Sequence, residues 1–514
     1  MQTYLVHLAC ALILGVLHSA SFAPLEAWYL QALSLGGLYW LLQPRDQAPA
    51  VPPPWLLGLV FGLAWFGAGV SWIFISLYRY GQMPVWIAAP ATFLFCLYLS
   101  LYPALFAALW SRFLARLHGS QGVAYQALLF GALWALTEWL RGTLFTGFPW
   151  LNTGYAHTVG PLRGYAPILG VYGLAWLSAS LAALLALYWQ ARQHPAAHPR
   201  RQWYGAMMLL TGVLGLVLHW IPWTRAHESP ITVRLLQGGI PQDTKFRVDR
   251  LNTSLGTYFG LIEEKPADLI ALPETAFPLF WQDLPIDYQR RLQRFANAYQ
   301  SHLITGIPLE EPPGYYTNSA VLFRPGASNG TVRFDARYDK HHLVPFGEFI
   351  PWGFRWFVDL MQMPLGDFGR GDPQQPPFNV AKQRIATNIC YEDLFGEELR
   401  LSGRHATVLL NLSNLAWFGD TYALPQHLQI SQMRALELRK PMLRATNTGM
   451  TAIIQADGQV TKKLLPFITA TAEGVVQGRT GWTPYAGWGN AAFIGLLVAV
   501  FSYPFWRKRR ARVG

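Results

Sequence analysis

The chain has 514 residues, 52% of them hydrophobic and 13% charged, where an ordinary soluble protein carries roughly 25% charge. That deficit excludes a purely soluble enzyme and an intrinsically disordered chain. The formal net charge of +12 does not point to a nucleic-acid partner, because the basic residues flank apolar runs instead of forming one patch.

Apolar stretches close to the ~20 residues a helix needs to cross a bilayer fall at 3–22, 27–43, 55–75, 85–110, 123–140, 165–189, 204–222 and 488–506. Eight spans are therefore expected: seven in a membrane domain over 1–223, and the eighth, with a basic tail, over 487–514. Ser19-Ala20-Ser21-Phe22-Ala23 resembles a leader-cleavage site, but no Lys or Arg precedes it and another span follows at once, so the first stretch reads as a span. An N-terminus in the cytoplasm puts Arg45, Arg112, Arg116, Arg192, Arg200, Arg201, Arg507, Lys508, Arg509, Arg510 and Arg512 inside. Only Arg79, Arg141 and Arg163 are then left in the short outer loops, and this asymmetry sets the orientation. Both termini are then cytoplasmic, and the polar insert 224–486 faces outward, into the periplasm of a two-membrane bacterium. Glu138 and Arg141, three residues apart near the outer end of the fifth span, read as a structural ion pair. His194–Arg201 reads as a polar connector between spans. Cys10 and Cys96 lie in apolar runs, and three cysteines are too few for a disulfide framework.

Within the insert, β-rich runs recur at Ile231–Gln237, Asp268–Leu272, Leu303–Ile307, Arg384–Cys390, Ala406–Leu412 and Gly449–Gln455, with helical patterns at Ile286–Tyr299 and Leu428–Arg439. Strands alternating with helices imply an α/β sheet covered on both faces.

Three of these segments place a reactive group just past an apolar run, where α/β enzymes carry their functional side chains. Glu274 follows Leu-Pro, which would hold a carboxylate rigidly enough to serve as a general base, although taken alone the residue reads first as a solvated turn glutamate. Lys340, in Tyr338-Asp-Lys-His-His, supplies an ammonium suited to stabilising an oxyanion or a thiolate. Glu348 is placed to pair with it or to brace its loop. Cys390 opens Cys-Tyr391-Glu392-Asp393 at a strand end, a position that exposes a nucleophile. The adjacent His341 and His342 lack a third ligand at a zinc-like spacing, so no metal is expected. No dinucleotide or phosphate-loop signature occurs, so no cofactor is expected either.

Glu274, Lys340 and Cys390, in that order on successive strand ends, resemble the Glu-Lys-Cys triad of the nitrilase superfamily. Gln237–Gln242, Leu272–Ala276, Tyr338–Pro351, Ile389–Glu392, Asn411–Gly419, Arg434–Glu437 and Arg444–Gly449 are similar to the motifs of the apolipoprotein N-acyltransferases within that superfamily. The resemblance covers essentially the whole chain. It implies a multi-span α-helical membrane bundle carrying an inserted α-β-β-α sandwich, with Glu274 as base, Lys340 as oxyanion stabiliser and Cys390 as nucleophile. It further implies supporting roles for Glu348, Tyr391 and Glu392. One position departs from the family pattern: Phe246 stands where the family often has Trp.

The activity so implied moves an acyl chain from a phospholipid, through a cysteine thioester, to the α-amino group of the diacylglyceryl-cysteine that begins an apolipoprotein. The aromatic loops Phe145–Tyr155 and Phe346–Trp356 suit contact with membrane lipids. Trp150, Phe246, Phe346 and Trp417 are expected as substrate-contact or gating positions. Two other readings use the same sequence. A membrane-tethered amidohydrolase would keep the triad and use water, and a transporter would carry a non-catalytic outer domain, although the spans are nearly free of midplane carboxylates.

Overall fold

The computed structural model describes residues 1–44, 51–115, 122–193, 202–326, 334–353, 355 and 368–510. Arg45, Arg116, Arg200, Arg201, Arg512, Trp356 and the connector His194–Arg201 lie outside them. The chain divides into two units: Met1–Ser71, Ala89–Ile221 and Trp488–Gly514 form the first, and Trp72–Ala88 with Pro222–Gly487 form the second.

The first unit is helical. Gln2–Ser19, Val85–Leu114, Val123–Arg141, Pro161–Gln193 and Gln202–His219 are long and apolar enough to cross a membrane, and a sixth is added if Pro54–Gly69 and Ile73–Tyr80 count as one bent span. Three expected spans are shorter than drawn from the sequence, the eighth because its apolar helix covers only Ala491–Trp506. Leu30–Leu41 has only 12 residues, and Pro54–Gly69 ends before Trp72. Leu5, Leu12, Leu209, Leu210 and Val217 stay exposed on their helices, as side chains facing lipid do.

Glycine brings the helix backbones close, as membrane helices require. A Cβ on Gly15 would fall 2.2 Å from the carbonyl oxygen of Phe61, and one on Gly58 would fall 2.3 Å from that of Pro103. Glu138 and Arg141 form a buried pair at 3.3 Å. Glu138 also accepts the Thr153 N–H at 2.9 Å. Arg141 donates to the carbonyls of Phe148 and Trp150 at 2.6 and 2.7 Å, so the pair pins the loop that follows its helix.

In the second unit the strands are β1 (Arg225–Ala226), β2 (Ile231–Gln237), β3 (Leu269–Ala271), β4 (His302–Glu310), β5 (Tyr316–Phe323), β6 (Ala336–Asp339), β7 (Phe378–Val380), β8 (Gln383–Ile389), β9 (Val408–Ser413), β10 (Met442–Thr446), β11 (Ala452–Ile454), β12 (Val460–Lys463), β13 (Ala470–Val476) and β14 (Arg479–Thr480). Two six-stranded sheets run in the orders β13-β2-β3-β4-β5-β6 and β12-β11-β10-β9-β8-β7, and β1 pairs with β14. Each large sheet has a parallel centre, β2-β3-β4 in one and β8-β9-β10 in the other, flanked by antiparallel strands.

Alternation of side chains along each strand builds three layers of core. Val233, Leu235, Leu269 and Ile304 meet Ile385, Ile389, Leu410, Leu412 and Leu443 between the sheets. Leu236, Ile270, Leu272 and Leu303 point the other way, against the helices Leu251–Glu263 and Ile286–Tyr299. Ala386, Leu409 and Met442 pack toward Gly396–Gly403 and Ala423–Leu438. The result is an α-β-β-α sandwich, whose central parallel strands present their carboxyl ends to one site.

Candidate active site

The loop that carries Glu274 leaves β3 but keeps following β4. Leu272 N–H donates to the Ile304 carbonyl at 2.8 Å and Ala276 N–H to that of Gly306 at 2.9 Å. Between these two bonds the chain arches out, with Thr275 at φ +49°, and Glu274 occupies the crest. The arch lies so close to β4 that a Cβ at Gly306 would sit 2.6 Å from Glu274 Cα.

Lys340 comes directly after β6, its N–H donating to the Asn318 carbonyl at 2.8 Å. Its ammonium is fully buried. It donates to Glu348 Oε1 at 2.9 Å and lies 3.4 Å from Glu274 Oε1. Asn318 Nδ2 reaches the same two oxygens, each at 2.8 Å. One amine and one amide therefore hold two carboxylates side by side. The other oxygen of Glu274 accepts the Asn414 N–H at 2.8 Å. Burial would lower Lys340, but the charges of Glu348 and Glu274 and the neighbouring Cys390 outweigh it and hold the amine above the ordinary lysine range.

Cys390 is the first residue past β8 and has φ +53°. A left-handed non-glycine conformation costs roughly 1–3 kcal/mol and persists only where surrounding bonds enforce it. Several bonds do so here. Glu392 accepts the Ile389 N–H at 2.7 Å, the His341 N–H at 2.7 Å, the His342 N–H at 3.1 Å and the Tyr338 hydroxyl at 2.9 Å. It thereby ties the cysteine turn to the lysine loop. Burial pushes the Glu392 carboxyl up, and these N–H donors pull it back.

Behind the turn, Asn411 Nδ2 donates to the Cys390 carbonyl at 3.3 Å. Arg444 donates to Ser431 Oγ at 2.9 Å and lies 2.8 Å from His427 Nδ1, with Asp393 at 3.7 Å. Burial is the largest influence on the Cys390 thiol and pushes it far up. Glu274 and Glu348 add to the rise, whereas Lys340 and the Asn414 N–H oppose it. Burial thus favours the thiol over the thiolate form of this sulfur.

The residues singled out from the sequence fall into distinct places. Glu274, Lys340 and Glu348 share one buried site with the half-buried Cys390, and Glu392 braces it. Tyr391 is buried against the rings of His342 and Phe395. His341 Nδ1 lies 2.8 Å from the Gly371 carbonyl, and His342 Nδ1 lies 2.9 Å from Glu398. Phe346 packs with Met83 and Ala88, and Trp417 meets the Tyr80 ring at 6.0 Å. The segment Trp72–Ala88 is therefore part of this unit, and Trp72 Nε1 donates to Gln426 at 3.2 Å. Phe246 is exposed. Trp150 is buried in the first unit.

Three residues at the site carried no separate signal in the sequence: Lys245, Asn318 and Asn414. Asn414 Nδ2 donates to Gln242 at 2.8 Å, and Asn447 Nδ2 donates to Asn414 Oδ1 at 3.1 Å. These bonds link three of the motifs to the site. The occurrence of Gln242, Asn414 and Asn447 inside the Gly-Gly-Ile-Pro-Gln, Asn-Leu-Ser-Asn and Arg-Ala-Thr-Asn stretches was the only available clue, and Lys245 and Asn318 lie in none of them.

Residues 232–479 match the family profile of the carbon-nitrogen hydrolases, and the second unit has that fold. Residues 14–184 match the N-terminal domain of apolipoprotein N-acyltransferases. Curated relatives with that name extend along nearly the whole chain. The one from Ralstonia nicotianae is 50% identical over 98% of this chain and 93% of its own. Those from Nitrosomonas europaea and Chromobacterium violaceum are 42% and 41% identical, each over 98% of this chain and over 98% and 95% of their own. The chain belongs to the apolipoprotein N-acyltransferase family.

Proposed function

We propose that this chain is a membrane acyltransferase that N-acylates lipoproteins in two half-reactions at Cys390. Glu274 takes the thiol proton, and the thiolate attacks an ester carbonyl of a phospholipid. Lys340 faces the oxyanion, and lysophospholipid leaves with the proton, giving a thioester. The neutral α-amino group of a diacylglyceryl-cysteine then attacks the thioester carbonyl. An amide forms, the sulfur departs, and Glu274 receives the amine proton, which restores the thiol. Thioester to amide runs downhill, and sequential use of one nucleophile predicts ping-pong kinetics.

The observation that carries this reading is the buried Lys340 ammonium shared between Glu274 and Glu348 beside a cysteine whose ionisation all three influence. A membrane anchor suits the chemistry, because each acyl CH2 drawn into water costs about 0.8 kcal/mol. The thiol must therefore be brought to the lipid. Eight spans, cytoplasmic termini and a periplasmic catalytic domain over 224–486 complete the proposal, supported by the asymmetry of basic residues.

The test is incubation of the full-length protein with acyl-labelled phospholipid. A hydroxylamine-sensitive label on the chain, absent after Cys390→Ala, is expected. Label that survives this substitution would refute Cys390 as the nucleophile.

A further inference from the structure

Lys245 is an ionisable group of the site to which the two half-reactions give no task. It closes the short helical turn Gln242–Lys245, is fully buried, and donates from Nζ to the main-chain carbonyl of Glu274 at 3.2 Å. Its ammonium also lies 5.9 Å from the centroid of the Phe246 ring. A buried ammonium with one neutral oxygen as its hydrogen-bond partner is a costly arrangement. Burial accordingly lowers Lys245 to about 8, and the negative charge of Glu274 draws it back up. At neutral pH it remains charged.

Charge accounting gives that cost a purpose. Glu274 and Glu348 place two negative charges at the site, and Lys340 offsets one of them. Arg444 bears on the sulfur from the other side but is itself matched by Asp393. The His427 ring, which meets the Cys390 carbonyl, is held neutral by burial and by Arg444. On the turn's own side, the charge of Asp243 bears on Tyr80, while Arg247, Asp249 and Arg250 are exposed. We infer that Lys245 is a positioning residue for acyl transfer: its buried charge, anchored on the main chain of Glu274, balances the second carboxylate and sets how readily the Cys390 thiol ionises. The inference rests on Cys390 as the nucleophile.

Three substitutions in the full-length protein separate charge from hydrogen bonding. Lys245→Gln keeps a donor for the Glu274 carbonyl without the charge, Lys245→Met removes both, and Lys245→Arg keeps the charge. The readout is the rate at which iodoacetamide alkylates the Cys390 peptide between pH 7 and 9, followed by mass spectrometry. In this range thiolate is the minor species and rate follows its fraction. Because the slow phase of alkylation reports folded molecules only, partial misfolding does not mask the result.

Gln and Met are both expected to slow alkylation about tenfold, equivalent to about one unit of thiol ionisation, and Arg to restore it toward wild type. Gln alkylating at the wild-type rate would overturn the inference, leaving only a structural hydrogen bond. Alkylation uses no lipid, so failure of the acyl-transfer reading would show separately, as absence of thioester in the unmodified protein.

Discussion

Gly306→Ala tests whether acyl transfer depends on where the Glu274 arch stands. A methyl group at this position would lie 2.6 Å from Glu274 Cα, 2.6 Å from the Pro273 carbonyl oxygen and 2.8 Å from Thr275 N. All three are main-chain atoms, so no side chain can turn away, and the arch must retreat by about 0.8 Å to regain ordinary contact near 3.4 Å. A shift of about 1 Å in a reacting group costs on the order of 10²-fold in rate. Overpacking a core site costs about 1–3 kcal/mol of stability. Single-turnover formation of acyl-enzyme from a fluorescent-acyl phospholipid should therefore slow by about 10- to 100-fold, with Cys390 still alkylated. Gly256→Ala is the control: nothing lies within 4 Å of the added atom, and its rate should stay at wild type. A Gly306→Ala protein that acylates at the wild-type rate would refute the claim that the arch fixes the base.

The remaining predictions concern the side chains around the sulfur. Because Glu274 raises the Cys390 thiol, Glu274→Gln should make alkylation near neutral pH faster while abolishing acyl-enzyme formation; a parallel fall in both would argue that Glu274 is only structural. Asn318→Leu removes two hydrogen bonds to charged groups, each worth about 1.5–3 kcal/mol. It should cut acylation at least tenfold in the single-turnover assay and lower Tm. Glu392→Gln leaves the four-donor brace incomplete, so acylation should fall and thermal unfolding should begin earlier.

Much of this arrangement was legible before any coordinates. The β-rich run from Ile231 to Gln237 and the helical period from Ile286 to Tyr299 coincide with β2 and a covering helix; the helix buries one face, whereas β2, packed on both faces, is buried almost throughout. The strand expected over Asp268–Leu272 is paired only over Leu269–Ala271, because the chain leaves the sheet to form the Glu274 arch. The third expected span stops at Gly69, since Trp72 and the residues after it find partners in the second unit, which hydropathy does not register.

Glu274, Lys340 and Cys390 stood out through strand-end position and residue type. Asn318 did not, because it lies in mid-strand and owes its role to carboxylates 44 positions before and 30 after it. Lys245 lay hidden for the same reason: a lysine beside a Phe reads as surface until another loop closes over it.

The most direct test isolates the labelled acyl-enzyme, removes free phospholipid, and adds a peptide beginning with diacylglyceryl-cysteine. The account predicts that label leaves Cys390 as it appears in amide linkage on the peptide's α-nitrogen, one for one, with no free fatty acid. Peptide acylated while the enzyme keeps its label, or label released only to water, would contradict it.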